Sequence, residues 1–175
     1  MSREIGIART LATLLLFFTL AGCAGYRVGD ISGRNLQGVR SVYVPVAKNV
    51  SLEPDLQVLL TDAVIQRFNN DGTLEVNQTS SADSEFDLTI SSVVRNAVAS
   101  STNNVLVTDQ YQLTITGKAT YVNRKLGRKI FENVTVVGTT TFFSQADLQE
   151  GERQALPLAA EDFANNAVKL VTEGW

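Results

Sequence analysis

Histidine is absent from this 175-residue chain, and cysteine occurs once, as Cys23. The first absence excludes nucleophile–histidine pairs and histidine metal sites; the second excludes any disulfide within the chain and any cysteine-rich zinc site. No glycine-rich phosphate loop is present either. Gly25, Gly29 and Gly33 are not followed by Lys-Ser/Thr and do not sit between a strand and a helix. A basic face is also missing: the formal net charge is −3, which argues against general nucleic-acid binding. The three carboxylates Asp83, Glu85 and Asp87 lie close together, but a loop-to-strand junction is where acidic residues are ordinarily just solvated. These exclusions point away from an enzyme, with no catalytic residue, metal or cofactor expected.

What is present begins at the N-terminus. Arg3 and Arg9 supply positive charge, residues 11–20 form an apolar run, and Leu20-Ala21-Gly22-Cys23 follows. Charge, a short apolar stretch and small residues before a cleavage point are the parts of a secretory signal. The run is too short for a bilayer span, which needs about 20 apolar residues. All four positions of Leu20-Ala21-Gly22-Cys23 resemble the lipobox of bacterial lipoproteins, in which the cysteine thiol is the acyl acceptor. The expectation is therefore a signal peptide over 1–22, with Cys23 as the lipidated N-terminus. Ala24, not Asp, follows the cysteine, which by resemblance to lipoprotein sorting favours the outer membrane. Cleavage removes Arg3, Glu4 and Arg9 and leaves 13 Lys+Arg against 17 Asp+Glu, a net of −4.

Residues 23–38 carry Gly25, Gly29, Gly33 and Gly38 among polar residues and read as a lipidated tether; residues 39–175 are the folded domain. Residues 39–46 read as a strand with Val42, Val44 and Val46 on one side, near a sheet edge or ending at Pro45, which lacks an N–H. Leu56, Leu59, Leu60, Ala63, Val64 and Phe68 have helical spacing. Ser51 is the expected cap of that helix, Pro54 suits its first turn, and residues 69–72 end it. A short strand is expected over 73–78. Phe86, Leu88, Ile90, Ser92 and Val94 alternate with polar residues, residues 97–104 read as a loop, and alternation is clean over 111–121. Residues 124–127 look like a turn before a strand over 130–142. Leu156, Ala159, Ala160, Phe163, Ala167, Leu170 and Val171 repeat at helical spacing, with Pro157 expected in the first turn or at a kink. The predicted fold class is α+β. Two amphipathic helices cover one face of a mostly antiparallel sheet of four to five strands, in the order β-α-β-β-β-β-α. The other face, lined by Thr, Gln, Ser and Lys, is polar.

One charge cluster interrupts an acidic chain. Arg124, Lys125, Arg128 and Lys129 place four positive charges within six residues. They are either an anion-binding tip that projects beyond the helices, or a solvated turn whose charges guard strand ends.

The sequence resembles a known family, the LptE lipopolysaccharide-assembly lipoproteins. Gly22-Cys23-Ala24-Gly25-Tyr26-Arg27-Val28 is similar to that family's Gly-Cys-Gly-Tyr opening, with Ala24 as an extra residue. Residues 39–49, Leu52-Glu53-Pro54 and Thr61-Asp62-Ala63 resemble its first strand and helix. Ala82-Asp83 and Tyr111-Gln112-Leu113 resemble its central strands. Glu152-Arg153, Leu156, Ala159-Ala160, Ala164 and Gly174-Trp175 resemble its last helix. The resemblance implies a non-enzymatic outer-membrane protein, lipid-anchored at Cys23, that plugs an LptD-type β-barrel as a hetero-complex, assists its assembly and helps deliver lipopolysaccharide. Arg124, Lys125, Arg128 and Lys129 are the candidate lipopolysaccharide contacts, a choice made from charge and not from a family motif. The rival reading is a pilot or scaffold for another envelope complex, such as a secretin.

Overall fold

The computed structural model describes Leu36 and residues 38–100, 108–143 and 147–174. The signal, Cys23 and most of the expected tether lie outside the described residues. The elements are β1 (Ser41–Tyr43), β2 (Lys48–Asn49), α1 (Leu56–Asp71), β3 (Glu75–Val76), β4 (Ser84–Ser100), β5 (Thr108–Asn123), β6 (Arg128–Phe143) and α2 (Leu148–Thr172). The strand order is β3-β1-β4-β5-β6, and β2 also pairs with β4. β4, β5 and β6 form a long antiparallel meander. β1 and β2 run parallel to β4, and β3 runs parallel to β1. The sheet is thus open and mixed, with its antiparallel part far the longer. Both helices lie on one face, α2 against β5 and β6 and α1 beside α2.

Side-chain period explains most of this. Phe86, Leu88 and Ile90 of β4 and Leu113, Ile115, Ala119 and Tyr121 of β5 are buried on the helix side, as alternation requires. Leu56, Leu60, Val64 and Phe68 form the buried stripe of α1. Phe68 meets the Phe86 ring edge-on at 5.6 Å between centroids. The buried side of α2 consists chiefly of Ala155, Ala159, Ala160, Ala164 and Ala167 with Phe163, Val168 and Val171. Such small residues let the helix backbone approach the sheet closely. At Gly138 a Cβ would lie 2.4 Å from both the Ala159 carbonyl oxygen and the Phe163 nitrogen. At Gly117 it would lie 2.9 Å from Phe163 Cζ and from the Thr89 carbonyl oxygen. Phe163 therefore rests on two glycines of adjacent strands.

The structure departs from the sequence reading at five places. The strand expected over 39–46 is cut to three residues, and Val46 is 67% exposed while Val42 and Val44 are buried. The chain leaves the sheet before Pro45, so alternation no longer governs Val46. Ser51 does not cap α1. The helix starts at Leu56 behind Asp55, whose φ is 58° and whose side chain makes no cap bond. Ser51 belongs instead to a turn built on Asn49, whose Oδ1 accepts the Ser51 N–H at 3.0 Å and whose Nδ2 donates to the Glu53 carbonyl at 2.7 Å. Pro157 sits inside α2, which sets aside the first-turn alternative and leaves that of a kink; its position is exposed, where solvent can serve the carbonyl deprived of its helical donor. The polar segment from Ala97 continues β4 to Ser100, because β5 supplies its pairing. Finally, the register slips between Ile90 and Ser92. This bulge puts Val93 opposite Ile115 and turns Val94 outward, the reverse of unbroken alternation. Arg95 consequently lies on the helix side, where it pairs with Glu152 of α2.

α2 also covers the outer edge of β6. Asp162 Oδ2 accepts the Thr139 N–H at 2.8 Å, and Asn166 Nδ2 donates to the Val137 carbonyl at 2.9 Å. One helical turn separates these two side chains, so a single face of α2 satisfies two successive edge groups. Leu60→Ala should cost about 2–5 kcal/mol in urea unfolding; a loss below about 0.5 kcal/mol would mean the α1 stripe is misplaced. Asp162→Ala with Asn166→Ala should speed hydrogen exchange at Thr139 and lower stability by about 1–3 kcal/mol. Unchanged exchange there would show that the edge is not held by α2.

Candidate functional site: the basic turn between β5 and β6

The turn over 124–127 is shaped by its flanks. Asn123 is fully buried, and its Oδ1 accepts the Leu126 N–H at 3.0 Å. Gly127 takes φ 61°, a value that suits glycine, and donates its N–H to the Arg124 carbonyl at 3.2 Å. The turn does not stand clear of the domain as a free tip. Its Arg124 N–H bonds the Asp83 carbonyl at 2.9 Å, which ties it to the segment leading into β4.

The four cations have different fates. Arg124 Nη2 lies 2.5 Å from Glu85 Oε2, its Nη1 donates to the Ser80 carbonyl, and its guanidinium carbon stands 6.0 Å from the Tyr43 ring centroid. Lys125 Nζ lies 3.0 Å from Asp83 Oδ2 and donates to the Gly38 carbonyl at 2.6 Å. Lys129 pairs with Glu132 on its own strand. Arg128 is exposed and makes no ion pair among the described residues. The structure thus gathers Arg124 and Lys125 with two acids, and leaves Arg128 facing solvent.

Asp83 and Glu85 are therefore more than solvated carboxylates. Asp83 Oδ2 accepts the Arg40 N–H at 2.8 Å. That bond and the Lys125 ammonium hold its carboxyl below the usual carboxylate range. Asp87 moves the other way, raised by burial and by its neighbour Glu85. Local charge spacing could not reveal these partners, since Arg124 and Lys125 are brought to Glu85 and Asp83 only by the β4–β5 pairing of Ser84 with Asn123.

A lowered folded-state value has a fixed consequence. The stabilisation from Asp83 is fully present above its unfolded value of about 3.9 and is lost as pH falls through the lower folded value. Asp83→Asn should therefore flatten the fall in urea midpoint between neutral and strongly acidic pH. A variant that loses stability with acid as steeply as the wild type would contradict the Asp83 linkage.

A polar groove of about 570 Å³ runs between α1 and α2, lined in part by Asp62, Gln66, Arg67, Glu161 and Asn165. Among the described residues no group of three or more His, Cys, Asp or Glu could hold a metal ion, and no helix is long and apolar enough to cross a membrane.

A hypothetical protein, CT253, from Chlamydia trachomatis aligns with a TM-score of 0.50 at 6% identity over 77% of this chain and 95% of its own. A minor lipoprotein from Acinetobacter baumannii aligns at 0.49 and 11% identity over 78% and 94%. The rare lipoprotein B from Shewanella oneidensis aligns at 0.43 and 13% identity over 75% and 92%. No curated protein matches the sequence. The model of the LptE lipopolysaccharide-assembly family matches residues 39–169, which span every strand and nearly all of α2. The chain belongs to the LptE lipopolysaccharide-assembly family.

Proposed function

We propose that this protein is a non-enzymatic outer-membrane lipoprotein, anchored through acylated Cys23, that fills the lumen of an LptD-type β-barrel and assists its assembly and the delivery of lipopolysaccharide. The observation that carries this reading is the family membership of residues 39–169. The outer face of the sheet supports it. Thr114 stands opposite Thr139, Thr116 opposite Val137, and Lys118 between Thr89 and Thr135. A face dominated by threonine, with Lys118 among it, suits the polar lumen of an outer-membrane barrel. Acyl chains at Cys23 would hold the domain beside the barrel wall, each buried CH₂ contributing about 0.8 kcal/mol.

Co-purification from the native host in mild detergent tests the partner. One large β-barrel recovered at one-to-one stoichiometry is the expected result; a secretin or an inner-membrane complex in its place would favour the rival role. Intact-mass analysis tests the anchor: the native protein should begin at an acylated Cys23, and Cys23→Ser should be found unanchored. An unmodified Cys23 in the mature protein would sink the lipoprotein reading.

For lipopolysaccharide, Arg128 is the stronger candidate within the basic cluster, because Arg124 and Lys125 are tied to Glu85 and Asp83 and Lys129 is paired with Glu132. A guanidinium can grip a lipid A phosphate with two parallel bonds. Arg128→Gln should weaken lipopolysaccharide binding by about tenfold, the equivalent of one charge-assisted hydrogen bond. Raised salt should mimic the loss in wild type. Equal affinity of variant and wild type at low salt would reduce the cluster to a structural turn.

A further inference from the structure

The two long edges of the meander are treated differently. On β6, Asp162 and Asn166 occupy the edge groups of Thr139 and Val137. Charged Lys129 and Glu132 and a left-handed Asn133 with φ 54° interrupt the rest. All are devices that block edge pairing. On β4 the edge away from β5 is covered at first by β1 and β2. The last bond on that side runs from the Val50 N–H to the Ile90 carbonyl at 3.1 Å. The chain then turns away at Ser51, held by Asn49.

Beyond that point lie six residues in unbroken register with β5, from Ser92 opposite Thr116 to Ala97 opposite Tyr111. Among the described residues no backbone pairs with their other edge. Six residues are the length of a common strand. This edge carries no proline and no lysine, and its single charge, Arg95, is engaged by Glu152. Residues 94–97 are exposed whichever way they point. At the near end, Val50, Leu52, Ser92, Val93, Glu53 and Glu152 line a small open groove of about 230 Å³. Leu52 is fully exposed beside it.

We propose that Ser92–Ala97 of β4 is a strand-docking edge that receives an extended segment of the barrel partner, an inference that rests on the partner reading above. Alternating main-chain bonds to β4 supply the attachment, and the groove supplies side-chain selection. The docked segment seats an apolar side chain against Val50, Leu52 and Val93. A basic side chain lies next to it, beside Glu53, which makes no ion pair among the described residues.

Hydrogen exchange of the full-length protein, alone and in its purified complex with the barrel, tests this. Amides within 92–97 that face away from β5 should exchange freely in the isolated protein. In the complex they should slow by about tenfold or more, and Leu52→Asp should reduce recovery of the complex. A one-to-one complex in which those amides keep their free rate overturns the docking edge and leaves the partner reading standing. Failure to recover any barrel complex overturns both. Slow exchange already present in the isolated protein would assign the edge to a segment of this chain. Slowing that tracks concentration-dependent dimerisation would assign it to a second copy. Either result overturns the proposal.

Discussion

The fold depends on how closely α2 can lie on the sheet. Two glycines on neighbouring strands, Gly117 and Gly138, accept Phe163 and the backbone around it at distances that exclude any Cβ. From this approach the rest follows. The alanine-rich side of α2 can interdigitate with β5 and β6, Asp162 and Asn166 reach the outer edge of β6, and Glu152 reaches Arg95 beyond the bulge in β4. A helix held farther away would leave a void under Phe163 and an open edge on β6.

The two ends of the meander differ in the same terms. At the end that carries the β5–β6 turn, Asp83 binds Arg40 and Lys125 while Glu85 binds Arg124. The first strand, the lead-in to β4 and the turn are thereby joined. Such pairs near the surface are individually weak, but here they close a circuit with the Arg124 N–H to Asp83 carbonyl bond. At the other end β4 runs on past the groove with both faces exposed over 94–97. Among the described residues the domain is thus closed where its own segments meet and open where β4 outruns them.

Much of this was legible in the sequence. The stripe from Leu56 to Phe68, the alternation over 111–121 and the helical repeat ending at Val171 lie where side-chain period places them, because a buried face leaves its period in the chain. What failed to show was whatever depends on a distant partner. The bulge at Ser91 flips Val93 and Val94, and nothing local to those residues announces it. The polar run from Ala97 reads as a loop until β5 pairs with it. Gly138 looks like any strand glycine until Phe163 is set upon it. The cluster at Arg124, Lys125, Arg128 and Lys129 was visible as charge. Its division into two tied cations, one paired within its strand and one facing solvent was not, since Asp83 and Glu85 are some forty residues away.

The close approach of α2 is tested most directly by the stability of Gly138→Ala, measured by urea unfolding. In a relaxed strand that change would raise stability by about 0.4–1 kcal/mol by restricting the unfolded chain. Against the backbone of Ala159 and Phe163 the added methyl group has no room, and the helix must move. The expected result is a loss of about 1–3 kcal/mol, the usual cost of overpacking. A variant as stable as the wild type, or more so, would contradict the claim that this contact sets the fold.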